Sequence, residues 1–234
     1  MEPLKSNEKR GKAAMILIGI ITAICTVLVI ASGIDIYSLI QHSQGLEMSE
    51  FAISVSDSML LIGWYSFFTA YIISAITFIL WFQRAYYNLA ILTGNTEYDN
   101  GWAIGSWFIP IANLFIPYKI MKELYEKTDQ YLLISEDEDY TENRLTIKYI
   151  GWWWALWIIS NVSFRIIDNG MSMVQALDAI IICRMLYIIS ILLFIILGFI
   201  TIIVIQDYAE TEKRLYIIKQ NPENNLPKEE SIPE

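Results

Sequence analysis

Residues 180–205 read IIICRMLYIISILLFIILGFITIIVI, with one charged residue, Arg184, in the whole stretch. At about 1.5 Å per residue, a helix over this run is long enough to cross a hydrocarbon core of about 30 Å. No proline interrupts it. The run therefore predicts a membrane-spanning helix. Three more runs predict spans of their own: residues 13–33, 59–82 and 150–167, the last opening Gly151-Trp152-Trp153-Trp154. The expected fold class is all-α, an integral membrane four-helix bundle. Lys5, Lys9, Arg10 and Lys12 precede the first run, and Ala31-Ser32-Gly33 has the look of a cleavage site. That run is longer than the 7–15 residues of a signal-peptide apolar region, so a retained span is expected.

Composition agrees. Of 234 residues, 55% are hydrophobic and 18% charged, against about 45–50% and about 25% in a soluble domain. One membrane domain, 13–206, is expected between a basic cytoplasmic amino terminus, 1–12, and a polar tail, 207–234. The tail past Lys219 carries three prolines and reads as disordered. A net charge of −9 argues against nucleic acid, which needs a basic patch. Cys25 and Cys183 both lie in apolar runs and read as small hydrophobes. With His42 the only histidine, no zinc, haem or other metal spacing arises, and most His-based catalytic arrangements that draw on one chain are ruled out. No cofactor is expected.

Lysine and arginine set the orientation. Residues 34–58 carry neither. Residues 83–149 carry Arg84, Lys119, Lys122, Lys127, Arg144 and Lys148, and the tail carries Lys213, Arg214, Lys219 and Lys228. Both termini are therefore expected in the cytoplasm, with Arg165 and Arg184 near the outer span ends.

Residues 101–118, GWAIGSWFIPIANLFIPY, are apolar throughout. As a fifth span they would carry the following lysines outside, against the charge rule. Pro110 and Pro117 also break a regular helix, and unsatisfied backbone is costly in lipid. The reading taken is a re-entrant or interfacial segment on the cytoplasmic side, with Trp102 and Trp107 at headgroup level. The alternative is a true span. An amphipathic helix over 119–133 follows, its apolar face made by Met121, Leu124, Tyr125 and Leu132, lying on the membrane surface.

The stretch from Phe78 to Arg84, FILWFQR, with Asn88 beyond it, precedes Gly101-Trp102-Ala103-Ile104-Gly105-Ser106-Trp107-Phe108-Ile109-Pro110, then Ala112-Asn113-Leu114 and Pro117-Tyr118. Together with the Trp-rich third run and Arg165, these motifs resemble the domain of unknown function 4328 family, a group of bacterial multi-pass membrane proteins. The resemblance runs from about Ala13 to about Gln206. Ser106, Tyr86 and Tyr87 are mild departures from its pattern. It implies a bacterial inner (plasma) membrane location and assigns no activity.

Several polar residues are candidate sites. Arg84 and Asn88, four apart, share a helix face and read as a clamp on the Pro-flanked segment or on a lipid phosphate, against an arginine that merely snorkels. Asn113, between two prolines, reads as a partner for backbone groups those prolines leave unpaired. Arg165 lies about 22 Å along the third run at helical rise and shares a face with Asn161. Its candidate partners are Asp35, Asp57, Asp168 and Asp178, with Arg184 nearby. An ion-pair network joining span ends weighs against a polar vestibule for an anion. Trp152, Trp153 and Trp154 read as interfacial anchors. The acidic cluster Glu136, Asp137, Glu138, Asp139 and Glu142 lacks the order of a calcium loop and reads as solvated. The function expected is a non-enzymatic membrane scaffold or regulator acting through lipid, a membrane protein partner or a second copy of itself. The alternative is a small transporter or channel with a polar vestibule around Arg165.

Overall fold

The computed structural model describes residues 3–46, 49–135, 147–171 and 173–220. The acidic cluster at 136–142 and the tail from 221 lie outside the described residues. Among those described there is no strand. Six α-helices follow in order: α1 (Glu8–Ser43), α2 (Glu50–Thr93), α3 (Trp102–Gly105), α4 (Ile116–Ile134), α5 (Ile147–Met171) and α6 (Leu177–Gln220), with a 3-10 turn at Ala112–Leu114. Within the described residues, α1, α2 and α6 each contain a stretch long and apolar enough to cross a membrane. The third expected span is helical as α5 but does not reach that standard. Four indoles, Asn161, Arg165 and Asp168 dilute its aliphatic content.

The chain divides into two compact units. One, the apolar unit, takes residues 12–78 and 151–204. The other, the polar unit, takes 1–11, 79–150 and 205–234.

In the apolar unit Ile21, Cys25, Leu28 and Ile191 form a buried core, flanked by Leu60, Trp64, Phe67, Tyr71, Tyr187 and Ile195. Aromatic rings knit the segments together: Trp64 sits 5.3 Å from Tyr187 and 6.0 Å from Phe164. The expected anchor role fits only Trp152, which faces outward. Trp153 and Trp154 are buried. The Trp153 indole donates to Thr201 Oγ1 at 3.0 Å, and Trp154 stacks on Trp157 at 4.7 Å. An indole whose N–H finds an acceptor inside the protein has no need of the headgroups. Small residues let α-helices approach without a solvent-driven hydrophobic force. A Cβ on Gly198 would lie 2.6 Å from Thr22 Oγ1, and one on Gly63 would lie 2.6 Å from Leu28 Cδ2.

Helix ends carry their own signals. Gly45 (φ +71°) closes α1: its N–H meets the His42 carbonyl at 3.0 Å, and Leu46 N–H meets that of Gln41 at 3.1 Å. This is a Schellman end. Gly94 (φ +66°) closes α2 in the same left-handed conformation.

In the polar unit α2 continues well past the apolar run, with Ala85, Tyr86 and Leu89 fully buried. Between α2 and α4 the chain breaks into short turns. Pro117 is the second residue of α4, where a missing N–H costs nothing. The expected apolar face of α4 forms, but Met121, Leu124, Tyr125 and Leu132 are almost wholly buried inside the protein. Protein occupies the face that was expected to meet lipid. The expected polar tail from 207 is corrected over 207–220. There α6 runs on as a helix, and Tyr208, Thr211, Glu212, Leu215 and Ile218 are buried. Leu132, Leu215 and Ile218 form a small core of their own. Three apolar residues at helical spacing were enough to bury a stretch that composition marks as charged.

Gly198→Ala should lower the melting temperature of the detergent-solubilised protein, the overpacking costing about 1–3 kcal/mol. Thr22→Ala, which removes the oxygen in the way, should recover most of that loss in the double variant. Full additivity of the two single losses would contradict the close approach.

Candidate functional site

The densest polar cluster lies in the polar unit, where the amino-terminal segment runs along α2. Arg10 Nη1 donates to the Leu80 carbonyl at 2.8 Å. Asn7 Nδ2 donates to that of Trp81 at 3.2 Å. Lys5 N–H donates to Asn88 Oδ1 at 3.0 Å. Lys5 also sets its ammonium 4.0 Å from the centre of the Tyr87 ring. Before Glu8 the segment has no helix of its own, and the Asn88 side chain of α2 pairs with both the N–H and the carbonyl of Lys5.

Asn88 is the hub. Its Nδ2 lies 2.9 Å from the Lys5 carbonyl, 2.7 Å from Glu212 Oε1 and 3.1 Å from the Tyr216 hydroxyl. The Tyr216 hydroxyl donates in turn to the Lys5 carbonyl. One buried amide thus joins the amino terminus, α2 and the end of α6.

Glu212 is 3% exposed. Burial pushes its carboxyl up to about 7 from an ordinary 4.5, while hydrogen bonds from Asn88 and Asn7 and the charge of Arg84 pull back. The Asn7 Oδ1, buried too, has no hydrogen-bond donor among the described residues. A cavity of about 130 Å³ opens beside this carboxyl, lined by Ser6, Glu8, Ala209, Glu212, Lys213 and Tyr216.

A second buried carboxylate, Glu123 on α4, is fully engaged. Tyr86 donates to its Oε2 at 2.6 Å, and Lys127 Nζ and the Glu97 N–H both lie 2.7 Å from its Oε1. Tyr98 N–H donates to the Tyr86 hydroxyl at 3.1 Å. The connection after α2 is thereby held by its backbone. Tyr86 itself is raised by burial and by Glu123.

The Pro-flanked segment presents a different face. Asn113 N–H reaches back over Pro110 to the Ile109 carbonyl at 2.7 Å. Its side-chain Oδ1, a candidate partner for free backbone groups, has no hydrogen-bond donor among the described residues. Trp107 packs edge-on to Phe82 at 6.1 Å. Phe108 is 72% exposed and Ile111 77%; Trp102, Ile109, Leu114 and Phe115 are exposed too.

The candidates around Arg165 do not converge as the sequence spacing implied. In the apolar unit Arg184 Nε, not Arg165, approaches Asp35 Oδ2, at 3.3 Å. Arg165 is exposed. Asn161 Nδ2 folds back onto the Trp157 carbonyl of its own helix at 2.8 Å. Arg84 and Asn88 do share a face, and Asn88 grips the amino terminus and α6 rather than the Pro-flanked segment. Sequence reading missed Asn7, Tyr86, Glu123, Glu212 and Tyr216. Tyr208, Glu212 and Leu215 at spacings of four and three were the available signal for the last two, an apolar stripe with one carboxylate set in it.

Because the folded state holds the Glu212 proton more tightly than the unfolded chain, its contribution to stability is complete below about pH 4.5. It is lost as pH rises through about 7, by on the order of 3 kcal/mol. Glu212→Gln, a neutral mimic, should match the parent protein at pH 5, melt higher at pH 8 and flatten the profile between. An unchanged profile in the variant would show that Glu212 does not titrate in this window.

A family model described as Domain of unknown function (DUF4328) matches residues 44–210. No curated protein and no solved structure matches the chain.

Proposed function

The chain belongs to the Domain of unknown function (DUF4328) family, and with that membership and its apolar helices as premises we propose that it is a non-enzymatic membrane scaffold or regulator. It crosses the inner membrane of a bacterium four times, through α1, α2, α5 and α6, with both termini in the cytoplasm. The Pro-flanked segment lies at the cytoplasmic interface and acts by association with lipid or with a membrane protein, a second copy included.

The carrying observation is the contrast between the two neighbouring segments of the polar unit. Helix α4 buries its apolar side chains inside the protein, whereas residues 102–115 turn Phe108, Ile111 and Phe115 outward. An exposed apolar cluster of this kind marks an interaction or membrane surface. The prolines leave backbone groups that lipid alone would not satisfy, which favours the interface over a full crossing. The absence of lysine and arginine from 34–58 and their return in 83–149 support the orientation. The alternative, a small transporter or channel around Arg165, needs polar groups that meet. Asp35 paired with Arg184 and Arg165 left exposed favour the scaffold.

Single cysteines placed in a variant lacking Cys25 and Cys183 test this arrangement in intact cells. An impermeant maleimide should label Ser43→Cys and Met173→Cys from outside. Ile134→Cys should label only after permeabilisation, and Ile111→Cys should stay protected while the bilayer is intact. External labelling at position 134 would turn 101–118 into a fifth span and remove the cytoplasmic platform.

A further inference from the structure

Two guanidinium groups stand together in the polar unit with little to hold. Arg10 is fixed through one N–H on the Leu80 carbonyl. Arg84 lies one helical turn further along α2. Each fork has five N–H donors. Arg84 makes no hydrogen bond and no ion pair among the described residues, although it is partly buried and water reaches only part of it. Arg10 likewise has no carboxylate within ion-pair distance among them.

Their charges are felt rather than neutralised. Burial, and then the like charge of Arg84, lower the Arg10 pKa. Glu212 also feels Arg84, but its Oε1 is taken by Asn88 and it forms no ion pair with the arginine. The nearby Lys5 ammonium is committed to the Tyr87 ring. Two such forks side by side suit an acceptor with several oxygens and a negative charge.

We propose that Arg10 and Arg84 form a clamp for the phosphate of an anionic lipid headgroup. The proposal rests on the membrane arrangement above and gives its lipid association a ligand and a place. Arg10 stands just before the first apolar run, at Ala13, and Arg84 just after the second, at Phe82. With those runs in the bilayer, both forks lie where headgroup phosphates stand. Two planar forks can each take two phosphate oxygens, which a lysine cannot do. The cytoplasmic leaflet is the anionic one, and Lys9 and Lys12 flank the pair. Free phosphate has the same chemistry, so the two sources are separated by experiment.

The full chain, purified in mild detergent, is loaded with phosphatidylglycerol or phosphatidylethanolamine and analysed by native mass spectrometry. One phosphatidylglycerol should be retained, at least about tenfold over phosphatidylethanolamine, and Arg84→Gln should cut that retention about tenfold. Arg10→Gln should cut it less, because its fork is partly spent on Leu80. Lys119→Gln, an exposed charge on α4, should leave it unchanged. Equal retention of the two lipids, or an equal loss in Lys119→Gln, overturns the clamp. Displacement of the lipid by millimolar inorganic phosphate also overturns it, since the ligand is then soluble. If Arg84→Gln elutes as aggregate, Arg84→Lys serves: it keeps the charge and loses the fork, and undiminished retention there rules out fork recognition. Loss of lipid selectivity with the cysteine-labelling pattern intact removes the clamp alone. A failed labelling pattern removes the platform, and is read independently of lipid.

Discussion

The Asn88 side chain, on α2, joins two pieces of chain that lie far from it in sequence: the amino terminus, through the carbonyl and N–H of Lys5, and the end of α6, through the carboxyl of Glu212 and the hydroxyl of Tyr216. An amide can do this because it offers two donors and an acceptor within one rigid plane. Asn88 and Glu212 are buried, so the two depend on each other, while Lys5 and Tyr216 close the cluster at its accessible edge. The amino-terminal segment has no secondary structure before Glu8, and its order comes from this contact and from Asn7 and Arg10 on the carbonyls of α2. The polar unit is therefore organised around α2, with the other pieces laid against it.

Burying a carboxylate in such a place carries a penalty that Glu123 and Glu212 meet differently. Glu123 has a lysine, a tyrosine and a backbone N–H around it. Glu212 has amides and a distant arginine, too little to hold the charge comfortably, and its proton affinity rises accordingly. Two acids of almost equal exposure thus sit in different surroundings, and only Glu123 has a cation in contact.

How much of this was readable beforehand follows from the kind of signal each part leaves. The long apolar runs of α1, α2 and α6 declare themselves by length and lack of charge, and the helix after Pro117 by its apolar spacing. The family pattern was visible in the Trp-, Pro- and Asn-rich stretch from 81 to 118. The inward packing of Trp153 and Trp154 was not, because an indole at a span end looks the same whether it meets headgroups or Thr201. Nor was the helix over 207–220, where Glu210, Glu212, Lys213 and Arg214 mask Tyr208, Leu215 and Ile218. The site fared likewise. The spacing of Arg84 and Asn88 identified the face, but the partners of Asn88 lie at positions 5, 212 and 216, and nothing in local sequence links these to residue 88. Arg165 attracted attention as an intramembrane charge, yet pairing depends on where neighbouring helices place Asp35, and Arg184 is the residue that reaches it.

The connection after α2 is held in an unusual way. Glu123 and Tyr86 take hold of the N–H groups of Glu97 and Tyr98, and Lys127 takes the carbonyl of Asn95. None of these three bonds involves a side chain of the connection itself. The side chains of Asn95, Glu97 and Tyr98 are thus freer to vary than the length of the connection, since one residue more or fewer would bring the wrong peptide groups to the carboxylate. Variation here should take the form of substitution, with insertions and deletions displaced to other connections.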